Sequence, residues 1–102
     1  MKQKQENKNK NIKKQSIMSA IEAKEKTEAY IKYKQKQCLK ILDKDILEAC
    51  YSGHKYVFTR LDWVNTLWMT HSFRAEIEDK YTTLGYQVVP VQGDRLLIRW
   101  CD

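Results

Sequence analysis

The chain has 102 residues, a net charge of +6 and 42% hydrophobic residues. This length allows one domain at most, and no apolar run approaches the roughly 18–20 residues of a membrane-spanning helix. The cysteines Cys38, Cys50 and Cys101 form no C-x-x-C pair, and residues 1–16 lack the apolar run of a secretory signal peptide. These features exclude a secreted disulfide scaffold and predict a protein of the cytoplasm.

The positive charge is concentrated in the first third of the sequence. Residues 1–37 contain eleven lysines and four glutamates, a net charge of +7, whereas residues 38–102 contain eight basic and nine acidic residues, a net charge of −1. Residues 1–18 are rich in Lys, Gln and Asn, and they offer too little apolar surface to offset the entropy lost on ordering. We therefore predict a disordered basic arm over residues 1–18, whose function can be separated from that of the folded part.

A long helix is predicted to follow the arm. Ser19 and Glu22 have the S-x-x-E spacing of a capping box, no Pro or Gly occurs before Gly53, and glycine commonly ends a helix. This pattern predicts a helix over 19–52, unless the charged residues 43–45 divide it into a helix pair. A single helix over this range would be about 50 Å long, more than the small module behind it could cover, so we expect 19–37 to project or to pair with another copy as a coiled coil.

Residues 38–102 are predicted to form a compact α+β module. The aromatic and β-branched run 54–60 predicts a strand, and 86–91 and 95–101 predict a hairpin, with Gly93 in its loop and Pro90 on an edge strand. Between them a helix is predicted over 62–84. Its expected apolar face comprises Trp63, Leu67, Phe73, Ile77, Tyr81 and Leu84. The predicted fold is a small three-stranded antiparallel sheet packed on helices.

Catalytic, metal and cofactor sites are not predicted. Structural zinc sites need closely spaced ligand pairs, and only Cys50 and His54 approach that spacing. Cys38 and Cys50 lie on the apolar stripe of the predicted helix, which indicates buried thiols of low reactivity. No serine lies in a nucleophile motif, and no glycine-rich phosphate loop occurs. We therefore expect a protein that is not an enzyme and takes no cofactor.

Nucleic-acid binding is the alternative function. Lysines of the arm could neutralise phosphates and give salt-sensitive, non-specific affinity. These lysines are Lys2, Lys4, Lys8, Lys10, Lys13 and Lys14. The pattern of the module is also compatible with a winged-helix fold, with helices 39–52, 62–69 and 72–84 and a hairpin wing. In that fold residues 72–84 would be the recognition helix, and Glu76, Glu78 and Asp79 give it a net negative charge. A negative helix fits a DNA major groove poorly.

A candidate partner-binding patch lies in the middle of the module. Val64, Trp68 and Met69 fall off the main apolar face of the predicted helix. If they are exposed, they mark a protein–protein interface. The alternative is that helix 39–52 covers them as a second part of the core.

Three short patterns resemble small proteins of tailed bacteriophages. They are Ile46, Ala49 and Gly53 at the end of the predicted helix, LGYQV at residues 84–88, and IRW at residues 98–100. The resemblance covers residues 19–101 and implies a phage accessory or virion-associated protein that forms homo-oligomers and has no catalytic residues. The Lys/Gln/Asn-rich leader departs from this pattern. We therefore expect a non-enzymatic viral protein, in the cytoplasm of the host cell or in the virion, that binds a protein partner. Inhibition of a host enzyme is one form such binding could take.

Overall fold

The computed structural model of the chain describes residues 17–101. Its elements are α1 (Ala20–Tyr51), β1 (Tyr56–Phe58), a 3-10 helix (Leu61–Trp63), α2 (His71–Thr83), β2 (Gln87–Val91) and β3 (Arg95–Arg99). The predicted α+β class is confirmed: a long N-terminal helix precedes a second helix and a three-stranded antiparallel sheet.

The chain divides into two units after Tyr30. In the first unit, every residue from 17 to 30 is exposed. The predicted capping box is present, because the Ser19 backbone N–H donates to Glu22 Oε1 (3.0 Å) and the Glu22 N–H donates to Ser19 Oγ (3.1 Å). These two bonds satisfy backbone donors that the first turn of a helix leaves unpaired. The start of α1 was therefore predicted correctly.

In the second unit, α1 presents one apolar stripe to the core. Cys38, Leu42, Ile46 and Ala49 are buried at steps of three or four residues, the spacing of one helix face. The helix continues without a break through residues 43–45, so the alternative of a helix pair is wrong. Its two aspartates are held on the helix by partners elsewhere in the unit: Arg60 contacts Asp45, and Lys80 and Tyr81 contact Asp43.

β3 is the central strand of the sheet. The strand order is β1-β3-β2, and both pairs are antiparallel. Leu96 and Ile98 point inward and are buried, whereas the alternate side chains of β3 point to the other face, as the pleat requires. Pro90 lies on the edge strand β2, as predicted. The hairpin loop is also confirmed, with positive φ at Gly93 (80°) and Asp94 (60°).

The core lies between the inner face of the sheet and the two helices. It contains buried side chains from α1, the 3-10 helix and its following turns, α2 and β3. They are Cys38, Leu42, Ile46, Trp63, Trp68, Phe73, Ile77, Tyr81, Leu96 and Ile98. Packing against this cluster extends along α1 as far as Ile31.

The segment between β1 and α2 differs from the single helix predicted over 62–84. It forms a 3-10 helix and turns, and α2 begins only at His71. Threonine side chains account for the change: Thr66 Oγ1 donates to the Trp63 carbonyl (2.8 Å), and Thr70 Oγ1 accepts from the Phe73 N–H (3.1 Å). Such local bonds compete with helical ones and make Thr70 an N-cap. Leu67, which was predicted to be core, is exposed as a result.

Both α-helices end in a Schellman motif. At the end of α2, the Gly85 N–H donates to the Thr82 carbonyl (3.0 Å) and the Tyr86 N–H to the Tyr81 carbonyl (2.9 Å). Gly85 has φ of 99°, which a residue without Cβ adopts at little cost. The apolar contact that often accompanies this motif is the edge-to-face pair of Tyr81 and Tyr86, with centroids 5.7 Å apart. This cap directs the chain from α2 into β2.

Candidate interaction surface

The His, Cys, Asp and Glu side chains of the described residues do not form a metal site. Between residues 17 and 101, no three His, Cys, Asp or Glu side chains are grouped so that they could hold a metal ion. Cys38 is a core thiol, as predicted, and burial raises its pKa to about 12, an effect that the charge of Lys80 partly offsets. Cys50 is exposed, so its predicted burial is wrong: α1 turns it away from the stripe of Ile46 and Ala49.

The expected patch of Val64, Trp68 and Met69 is not an exposed surface. Trp68 is only 6% exposed, and Val64 and Met69 are partly buried. The indole packs edge-to-face against Trp63 and Phe73, with centroids 5.7 and 6.4 Å away. The exposure on which the interface hypothesis depended is therefore absent in this chain.

Residues of α1 help to cover the Trp68 segment. Coverage by this helix was the alternative to an exposed patch of Val64, Trp68 and Met69. Gln35 Nε2 donates to the Trp68 carbonyl (3.0 Å), and Lys34 Nζ lies 5.9 Å from the indole centroid. Lys34 and Gln35 lie before residues 39–52, the part of the helix that was predicted to cover the patch.

Two modes of nucleic-acid binding were predicted, one through the lysines of the arm and one through a winged helix, and the structure bears on them differently. The six arm lysines lie outside the described residues. The structure contains most elements of the predicted winged helix: the first helix, the strand, the last helix and the hairpin. Helix 62–69 is absent, because this segment forms a 3-10 helix and turns.

The exposed side of α2, which would be the recognition helix of a winged-helix fold, is acidic. Glu76, Glu78 and Asp79 line a groove of about 460 Å³ between α2 and Val88 of β2. No cation lines this groove, and carboxylates there would repel a phosphate backbone. A major-groove function for α2 is therefore not supported.

An exposed apolar surface lies where α1 and α2 end. We define the end surface as Leu47, Cys50, Tyr51, Leu84, Tyr86 and Trp100. Cys50, Leu84, Tyr86 and Trp100 line one cleft of about 190 Å³. Leu47 and Tyr51 lie within one turn of Cys50 on α1, and both are exposed.

The geometry of the end surface is fixed by aromatic packing. Tyr86 contacts Tyr81 on one side and Trp100 on the other, both edge-to-face, with centroids 5.7 and 5.9 Å apart. Leu84, 63% exposed, lies beside this row. Large apolar side chains on a rigid support are typical of protein–protein contact surfaces.

The sequence pattern did not reveal this surface. Leu84 continues the helical stripe of Phe73, Ile77 and Tyr81, and it was therefore assigned to the core. In the structure it is the C-cap of α2, beyond the last full turn, and it points away from the stripe. The only available signal was Leu47 and Tyr51, which lie off the buried stripe of α1.

Comparison of the chain with protein-family models, with curated proteins and with solved structures finds no match in any of the three. Within residues 17–101, no helix has both the length and the apolar character needed to cross a membrane.

Proposed function

We propose that the protein is a non-enzymatic accessory protein, of the phage-like kind that its sequence patterns resemble, and that it acts through protein–protein contacts. The observation that carries this proposal is the end surface. Burial of exposed apolar area is the main favourable term in protein association, and the aromatic row of Tyr81, Tyr86 and Trp100 holds the surface in place before binding.

A second copy of the chain is the partner that we propose for the end surface. A self-complementary patch closes into a symmetric dimer, the commonest form of homo-oligomer. The core is also small, and small domains gain stability from association. The first helical residues of α1 support the same conclusion, because residues 20–30 are all exposed and a helical segment without packing is only marginally stable in water.

The test is the molar mass in solution, measured by light scattering under reducing conditions over a wide range of protein concentration. We expect the wild type to be a dimer or a larger oligomer. Leu47→Lys combined with Leu84→Lys should make it monomeric, because two lysines would lose hydration in the interface.

Leu67→Lys is the matched control, since Leu67 is exposed and lies outside the end surface. This variant should associate like the wild type. A wild type that stays monomeric at every concentration would refute self-association, and equal dissociation of both variants would place the interface elsewhere.

A further inference from the structure

The face of the sheet that points away from the core is not covered by either helix. We call it the open face and define it by the outward side chains Tyr56, Phe58, Val89, Arg95, Leu97 and Arg99. Their orientation follows from the register: Val57 pairs with Ile98 and Pro90 with Leu96 on the inner side, where Ile98 and Leu96 are buried. The six side chains of the open face are therefore grouped on one surface, although they come from three strands.

Two aromatic rings stand next to each other on this face. Tyr56 and Phe58 are separated by one residue of β1, and their rings make an edge-to-face contact with centroids 5.5 Å apart at 78°. Tyr56 remains 50% exposed. Phe58 thus holds the Tyr56 ring in position while leaving ring surface accessible to a planar ligand.

Two arginines flank these rings. Arg99 is the direct cross-strand partner of Tyr56, so the two side chains leave the sheet within about 5 Å of each other. The Arg95 guanidinium lies 4.8 Å from the Phe58 ring centroid. Each cation is oriented by a neutral oxygen, since Arg99 Nε donates to Gln87 Oε1 (2.6 Å) and Arg95 Nε to the Thr59 carbonyl (3.2 Å).

These two cations have no ion-pair partner among the described residues. Arg60 is paired with Asp45 and Lys80 with Asp43, at 3.3 and 3.2 Å. By contrast, neither Arg95 nor Arg99 forms an ion pair with a carboxylate of residues 17–101. None of the six side chains that define the open face is acidic. It therefore combines exposed ring surface with uncompensated positive charge.

We propose that the open face binds single-stranded DNA, with a base stacked on Tyr56 and the adjacent phosphates held by Arg99 and Arg95. Every base has a π-face, so stacking on an aromatic side chain tolerates any sequence, and arginines that track the backbone supply the electrostatic attraction. A duplex does not fit this chemistry, because its bases are already stacked on one another.

The middle of the open face favours DNA over RNA. Phe58, Leu97 and Val89 form one continuous apolar row across the three strands, because Phe58 pairs with Leu97 and Leu97 with Val89. A ribose 2′-hydroxyl placed on this row would lose its hydrogen bonds to water without gaining a partner. This inference goes beyond the proposed function and does not depend on self-association.

The experiment measures binding of a short fluorescent oligothymidylate to the full chain by anisotropy, at low and at physiological salt. Tyr56→Thr keeps a residue of high β-strand propensity at this position and removes the ring. We expect it to weaken binding by about 5- to 150-fold, the range for loss of one stacked base. Arg99→Gln removes one phosphate contact and should reduce the salt slope by about one.

Matched controls come from α1. Tyr33→Thr removes an exposed tyrosine, and Lys40→Gln removes an exposed positive charge, both outside the open face and the end surface. Both controls should bind the oligonucleotide like the wild type. Circular dichroism of each variant establishes that it is folded.

The proposal is overturned if the wild type does not bind oligothymidylate at low salt, or if folded Tyr56→Thr and Arg99→Gln bind it as the wild type does. In the second case the lysine-rich residues 1–16 would be the binding site. Tighter binding of oligouridylate or of duplex DNA contradicts the single-stranded DNA assignment. Binding of polyglutamate in place of DNA would show that the open face receives an acidic protein.

Discussion

At the scale of single residues, two cysteines of one helix have contrasting environments. Cys38 is buried in the core beside Leu42, whereas Cys50 is exposed on the end surface. Burial disfavours the charged thiolate and raises the Cys38 pKa from 9.0 to about 12. Only the thiolate is a strong nucleophile, so Cys38 is both inaccessible and protonated at neutral pH.

We therefore expect two of the three thiols to react in the native protein. At a protein concentration where the chain is monomeric, Ellman's reagent at mildly alkaline pH should modify the exposed Cys50 and Cys101 quickly and Cys38 only after denaturation. A Cys38→Ala variant should show the same fast amplitude as the wild type and no additional thiol in denaturant. Fast reaction of all three thiols would show that the core around Cys38 opens readily.

Asp43 shows how a tertiary contact overrides a local signal. Its Oδ1 accepts a hydrogen bond from the Tyr81 hydroxyl at 2.7 Å, and Lys80 Nζ lies 3.2 Å from its Oδ2. Burial, together with this carboxylate, raises the pKa of Tyr81 above its usual value. Aspartate is a poor helix former, which is why the sequence suggested a break in α1. The bonds to α2 that keep it in the helix are not visible in a local pattern.

At the scale of elements, the start of α2 depends on one hydroxyl. Thr70 has extended backbone angles, and its side chain accepts from the Phe73 N–H. This bond satisfies one of the donors left over in the first turn. It also sets the register of α2, which places Phe73, Ile77 and Tyr81 in the core.

Thr70→Ala should lower the free energy of unfolding by about 1 kcal/mol, the usual cost of losing an N-cap. The measurement is urea denaturation at a fixed protein concentration, which keeps any association constant. Thr83→Ala, at the exposed end of the same helix, is the control and should cost nothing, because alanine is the better helix former. Equal losses in both variants would mean that the Thr70 bond does not stabilise α2.

The element types could largely be predicted from the sequence, whereas their limits could not. Alternation in 95–99, the turn at Gly93 and the cap at Ser19 are local signals, and all three are confirmed. The strand predicted over 54–60 is only Tyr56–Phe58, because strand length depends on the partner. β1 pairs with β3 over three positions. Beyond them, the Thr59 N–H donates to the Leu96 carbonyl (2.9 Å), whereas the Leu96 N–H donates to Thr59 Oγ1 (3.0 Å) and not to a backbone carbonyl.

At the scale of the whole molecule, burial and exposure alternate along α1 within a few residues. Leu42 is 0% exposed and contributes to the core, whereas Leu47 is 56% exposed on the end surface. The two are the same residue type in the same helix. They therefore separate the energetic effect of the core from that of the surface.

Leu42→Ala should lower the free energy of unfolding by about 2–5 kcal/mol, since it loses buried apolar contacts and leaves a cavity. Leu47→Ala should change it by less than about 0.5 kcal/mol when measured at concentrations where the protein is monomeric. Chemical denaturation of both variants gives the comparison. A large loss for Leu47→Ala in the monomer would show that the end surface is part of the stabilising core.

The candidate sites were harder to predict than the fold because they depend on what remains uncovered. Leu96 and Ile98 could be assigned to an inner face from alternation alone. Alternation does not show whether another element covers the opposite face of the sheet. Local patterns also do not show whether Leu84 and Trp68 are buried or exposed. Their exposure is decided by residues distant in sequence, such as Gln35, which bonds to the Trp68 backbone.

The position of β3 in the centre of the sheet also determines when this molecule can fold. Of all the elements described, β3 leaves the ribosome last, yet both other strands bond only to it. Until it emerges, β1 and β2 have no backbone partner, and the helices have no sheet on which to pack Ile77 and Tyr81. Although β2 and β3 form a local hairpin, the pairing of β1 with β3 is long-range, and the entropy of closing that loop is lost before the contacts between the two strands form. Completion of the module therefore waits for β3, and the nascent chain exposes its apolar segments until that strand emerges.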